Sequence, residues 1–104
     1  MRRFTVDYRP EATADLIEIY DYVLLRSQDA ATAENYVNRI YGRCERIGLV
    51  PLAGITRDDV APGLRMAVFE RSLVIFYIVG DGKVEITNIL SGTRDYAALL
   101  RKQH

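Results

Sequence analysis

The stretch richest in chemistry is residues 84–100, VEITNILSGTRDYAALL. It alternates like a strand, stops at Gly92 and then sets Arg94, Asp95 and Tyr96 in succession. A further basic residue, Arg65, stands in PGLR ahead of another apolar run. Arginine forks suit a carboxylate or a phosphate, and acid–base chemistry at a phosphate takes a base, positive charge and a proton donor for the leaving oxygen. Arg65 and Arg94 can supply the charge. Tyr96 is the candidate for the proton, but a phenol with a pKa of about 10 shuttles protons poorly unless cations lower it, and core packing is its better reading. Asp95 stands where it can cap the YAALL turn through N–H groups that a helix start leaves unpartnered. Arg65 keeps two readings open: a contact for an incoming carboxylate or phosphate, or a side chain paired with an acid of its own domain, such as Glu85 or Asp95. Arg94 has no comparable local duty and can join Arg65 in a small positive cleft. His104 is the sole imidazole and the last residue, where fraying is expected, and it is discounted.

The elements that must position these residues have to come from one small domain, residues 1–104, with 49% hydrophobic content. Fourteen basic residues balance fourteen acidic ones, so no net field draws the chain onto DNA or an anionic membrane, and a protein is the easier partner. Twelve of the basic residues are Arg and two are Lys, which favours forked contacts over diffuse charge. Cys44 is the only cysteine, which excludes an intramolecular disulfide and fits a buried thiol in a reducing compartment. The opening MRRFTVDYRPEATADL has no apolar core behind its arginines and no run approaches a membrane span, so the expected location is the cytoplasm. The acids of the first helical stretch, Asp15, Glu18 and Asp21, fall mainly on its solvated face without a fixed partner cluster. No metal and no cofactor is expected.

RRFTVDYR alternates Phe4, Val6 and Tyr8 against polar neighbours and reads as a half-buried strand ended by Pro10. From Pro10, the residues Leu16, Ile17, Tyr20, Val23 and Leu24 recur at helical spacing, with Tyr22 off-phase as an exposed anchor. Ser27 and Asp29 are candidate caps for a second helix carrying Ala33, Tyr36, Val37, Ile40, Tyr41, Cys44 and Ile47, and the two should form an antiparallel hairpin. Residues 55–63, ITRDDVAPG, read as a polar loop. Then come three β-branched and aromatic runs, split by a tight turn near Arg71 and by Gly80-Asp81-Gly82, which predict an antiparallel meander. The middle run is apolar at every position from Leu73 to Val79, so it should be central and covered on both faces, by the helices on one side and a partner on the other.

A strand, a helical hairpin, then GLR, VIFYIV and VEITNILSGTRDY in this order resemble the ParE/RelE superfamily of toxins from bacterial toxin–antitoxin pairs, with ParE the closer branch. The likeness runs from YRPEATADLIEIYDYV through RIYGRCERIGLVPLAG to the end of the chain. It implies an α+β fold in which an N-terminal strand and an antiparallel helical hairpin pack on a small antiparallel sheet. It also implies growth arrest through inhibition of DNA gyrase, and a cognate ParD-like antitoxin that wraps the toxin in a hetero-oligomer. Members commonly carry a basic residue in the last strand and a His just before its closing Gly; Asn88 and Ser91 stand there in this chain, and neither titrates near neutrality. No residue is therefore assigned a catalytic role, and Arg65, Asn88, Ser91, Arg94 and Tyr96 are candidates for target or partner contact. Two other readings stay open. One is a RelE-like ribosome-dependent messenger-RNA endonuclease using Arg65, Arg94 and Tyr96; the other is a non-toxic relative kept as a binding module.

Overall fold

The computed structural model of the chain describes residues 3–92 and 98–100. Strand β1 (Thr5–Tyr8) leads into α1 (Pro10–Ser27) and α2 (Ala30–Leu49). A single 3-10 turn at Pro51–Ala53 and the two-residue strand β2 (Ile55–Thr56) follow, then β3 (Leu64–Phe69), β4 (Leu73–Gly80) and β5 (Lys83–Ser91). Pro10 opens α1 because its missing N–H is one a helix start would leave unused, and Gln28 closes it in the left-handed region at φ 57°. Asp29 then caps α2: its carboxylate accepts from the Ala31 amide at 3.2 Å and from the Thr32 hydroxyl at 2.7 Å. Two residues thus turn the chain through the hairpin.

Five strands form one sheet in the order β1-β5-β4-β3-β2. The meander β3-β4-β5 is antiparallel as the sequence predicts, but β1 lies parallel to β5, from Thr5 opposite Lys83 to Tyr8 opposite Ile86, so the sheet is mixed. Alternation along a strand says which side chains face inward and nothing about the direction of a neighbour. β2 falls inside the stretch read as a loop, where Ile55 pairs with Met66 and Thr56 with Arg65.

One face of the sheet carries the helical hairpin. Its core joins Ala12 and Leu16 of α1, Ile40, Cys44 and Ile47 of α2, and Ala67, Phe69, Ile75, Tyr77, Val84, Ile86 and Ile89 of the strands. Each large aliphatic chain buried there contributes about 1.5–3 kcal/mol, which is why the three-to-four spacing of α2 decides its orientation. Ile17 departs from the sequence expectation: it is 59% exposed, because Leu16 beside it takes the inward position. Tyr22 is exposed as expected.

The other face was expected to need a partner. Much of it is covered by the chain itself, where Val60 and Ala61 from the loop before β3, and Leu100, cluster on Leu64, Val74, Phe76 and Leu90. The uncovered remainder lies at the β2–β3 end, where Ile55 and Val68 are 59% and 48% exposed.

Candidate functional site

The sequence-derived candidates are distributed by one local irregularity. β4 and β5 pair in regular register from Gly80 opposite Lys83 to Tyr77 opposite Ile86, after which Phe76 lies opposite Asn88, leaving Thr87 as a bulge. One extra residue inverts the facing of everything after it. Val84 and Ile86 face the helices, and so does Ile89, while Asn88 turns to the opposite face and is buried at 1% exposure. The bulged Thr87 hydroxyl reaches the Phe76 carbonyl at 3.4 Å, and the Ile89 amide donates to the Asp15 carboxylate of α1 at 2.9 Å, tying the inverted segment to the hairpin.

Ser91 ends β5 opposite Leu73 and lines a cleft of about 470 Å³ between α1 and the strand ends. Asp15, Glu18, Tyr22 and Tyr36 stand on the helical side of that cleft, and the Tyr36 hydroxyl lies 3.2 Å from that of Ser72 on the other.

Arg65 is elsewhere. On β3, opposite Tyr77, it turns its guanidinium to the backbone: Nη1 donates to the carbonyls of Leu52 at 3.1 Å and Gly54 at 2.9 Å. The Tyr77 hydroxyl works on the same turn, donating to the Pro51 carbonyl at 2.9 Å and accepting from the Gly54 amide at 3.0 Å. A Cβ on Gly54 would collide with that hydroxyl, so glycine is what lets the turn approach. The sequence offered an acid of the same domain or an outside ligand as the partner of Arg65; the described contacts are main-chain carbonyls. Glu85 is held instead by Arg9, at 2.9 Å.

Arg65 and Ser91 are thus four β4 positions and two strand spacings apart, about 16 Å, with Asn88 on the far face between them. The structure does not bring Arg65, Asn88 and Ser91 together. Arg94 and Tyr96, and with them Asp95 and His104, lie outside the described residues. The shifts in proton affinity that stand out all lead away from neutral pH. Burial raises the Tyr77 phenol and, helped by Cys44, the Tyr8 phenol, and burial pushes the Cys44 thiol up to about 11. A hydrogen bond with Arg39 lowers the Glu70 carboxyl, and the same bond raises Arg39. Such groups hold their protons, or their charge, through the physiological range. Among the described residues there is no group of three or more His, Cys, Asp or Glu able to hold a metal, and no helix long and apolar enough to cross a membrane.

What sequence reasoning missed is the edge of β3. β2 pairs with Arg65 and Met66, so among the described residues no strand lies outside 67–69, and the Val68 carbonyl accepts instead from Nε of Arg43 on α2 at 3.2 Å. Beside this edge, Ile47, Val50, Ala53, Ile55 and Met66 line a second hollow of about 240 Å³ with Arg43 at its rim. The available signal was the row Arg39, Arg43, Arg46 at i, i+4 and i+7, which places three guanidiniums along one flank of α2.

Residues 6–96 match the family model described as the ParE toxin of the type II toxin-antitoxin system, parDE. The chain belongs to the ParE toxin family. The fold agrees with that of a structure described as the chromosomal ParDE TA system from P. aeruginosa, at a TM-score of 0.74 and 23% identity over 86% of this chain and 96% of that one. A solution structure of a conserved protein from Helicobacter pylori, HP0894, is similar at a TM-score of 0.45 and 12% identity, over 88% and 97% of the two chains. No curated protein sequence matches. ParE membership agrees with the α+β architecture of a helical hairpin on one face of a small sheet.

Proposed function

We propose that this ParE-family toxin acts in the cytoplasm by gripping a protein, inhibiting DNA gyrase and so arresting growth, and that a cognate ParD-like antitoxin neutralises it by wrapping its surface. The observation that carries the non-enzymatic part is the scatter of Arg65, Asn88 and Ser91. Phosphodiester cleavage needs charge and proton transfer within hydrogen-bond reach of one phosphate, and these residues sit on two faces and at two ends of the sheet, with Arg65 already engaged by carbonyls. The near balance of charge supports a protein target over direct DNA binding. Exposed apolar side chains on α1, Ile17, Tyr22 and Leu25, offer contact surface to a target.

A supercoiling assay with purified gyrase tests the reading. The expected result is inhibition by the isolated chain, reversed when the product of the neighbouring reading frame is added first. Cleavage of ribosome-bound messenger with supercoiling untouched would overturn it and promote the endonuclease reading.

A further inference from the structure

We propose that the open edge of β3 at residues 67–69 receives an extended segment of a protein partner, pairing main chain to main chain with Val68 and placing a carboxylate on Arg43. An edge strand with free polar main-chain groups is a template for an added strand, and proteins commonly blunt such edges with charged side chains. Arg43 does that here: its Nε caps the Val68 carbonyl at 3.2 Å. The N–H and C=O of one strand residue project to the same side, so the Val68 amide shares this edge. Among the described residues no strand fills this lane, because at Gly54 the turn is held by Arg65 and Tyr77 instead of pairing with β3.

The surroundings specify the occupant. Side chains of an added strand alternate between faces. Those on the helical side meet the 240 Å³ hollow where Ile47, Val50 and Ala53 stand, which suits one aliphatic or aromatic group. Those on the other side meet Val68 and Ile55, both exposed. Arg43 is the charged residue among the described ones that line the hollow, and Arg46 is exposed one turn further along α2. Arg39 is already held by Glu70 at 2.8 Å. Apolar floor and cationic rim together fit a segment that alternates apolar and acidic residues. This rests on the reading above in that the partner is the neutralising antitoxin.

The test has two arms. In the first, two blocked seven-residue peptides are titrated into the purified chain and followed by amide NMR shifts, one peptide alternating glutamate with valine, the other lysine with valine. The glutamate peptide is expected to shift the amides of residues 67–69 and to bind at least about tenfold more tightly than the lysine peptide. Val68→Lys, at an exposed edge position, and Arg43→Gln should each weaken it by a similar factor while the thermal midpoint stays near that of the parent. In the second arm, growth arrest by the parent chain is relieved by the neighbouring reading frame, and arrest by Val68→Lys is not; Arg43→Gln takes its place if Val68→Lys fails to fold or to arrest growth.

Shifts elsewhere or none, or full rescue of the edge variants, would overturn the inference while leaving the antitoxin reading intact. Edge binding of the peptide without rescue of the parent chain would uphold the edge and discard the antitoxin. Shifts at residues 67–69 that grow with protein concentration alone would assign the edge to a second copy of the chain and overturn the proposal.

Discussion

Arg65 is the residue on which sequence and structure put the sharpest question, and replacing it with methionine answers it. Its Nη1 makes two hydrogen bonds to carbonyls, at 3.1 Å to Leu52 and 2.9 Å to Gly54. A hydrogen bond from a charged donor contributes about 1.5–3 kcal/mol. The Leu52 contact is exposed, so water replaces most of it; the Gly54 contact is partly buried and carries the larger share. Arg65→Met should therefore cost about 2 kcal/mol. Tyr77→Phe removes the hydroxyl of a ring that is 1% exposed and strands the Pro51 carbonyl and Gly54 amide, a loss of about 1–3 kcal/mol. Both side chains hold one turn, so once either is gone the other has less to hold, and the double variant should fall short of the sum by about 1 kcal/mol. Urea denaturation of the four proteins reads these differences as midpoint shifts at constant slope. By heat, Arg65→Met should melt roughly 10 °C lower. Growth arrest by Arg65→Met should persist at temperatures where the variant is folded. Parent-like stability with arrest abolished would refute the clamp and return Arg65 to the contact surface.

The two glycines of α2 should respond oppositely to alanine. At Gly42 an added methyl meets nothing within 4 Å, and urea midpoints should show a gain of about 0.5–1 kcal/mol. At Gly48 it would sit 2.7 Å from the Phe4 carbonyl oxygen and 2.9 Å from a Val6 methyl, and the same measurement should show a loss of about 1–3 kcal/mol with faster amide exchange in β1. Glu70 and Arg71 turn the β3–β4 hairpin with φ of 46° and 62°, the left-handed region; Arg71→Gly should relieve one of these and raise stability by about 0.5–1 kcal/mol in urea melts. Burial pushes the Cys44 thiol up to about 11, whereas in the unfolded chain it titrates at about 8.5. The folded state holds its proton longer, so its contribution is complete below the unfolded value and is lost as pH rises from there toward 11. Thermal midpoints should fall across that window, less steeply in Cys44→Ala, and alkylation of Cys44 by iodoacetamide should track unfolding.

The helices were legible because burial writes a three-to-four period into α2, and Asp29 at its start is a residue type whose oxygen finds amides. In α1 the neighbours Leu16 and Ile17 both fit a helical face, and spacing alone could not tell which of them faces the sheet. β5 shows the deeper limit. Strict alternation puts Asn88 on the same face as Ile86, but the Thr87 bulge inverts the strand, and its trace in the sequence is the displaced apolar pair Ile89–Leu90. The site was harder still. Residue type made Arg65 equally suited to an acid, a phosphate or a carbonyl, and the choice was made by a turn 11 to 13 residues earlier in the chain.

The same turn decides where the domain offers a surface. Had the chain continued straight from Gly54, β2 would run on beside residues 67–69 and Val68 would have a strand partner. Tyr77 and Arg65 instead draw residues 51–54 off that line. Three side-chain consequences follow together: Ile55 and Val68 are left in solvent, the Val68 carbonyl falls to Arg43, and a hollow opens against the end of α2. The clamp and the edge are thus coupled. Tyr77→Phe, which leaves Arg43 and Val68 in place, should loosen residues 51–54, let them drift into the lane beside residues 67–69 and weaken the glutamate peptide. Peptide affinity unchanged in a Tyr77→Phe protein whose turn exchanges its amides faster would separate the two.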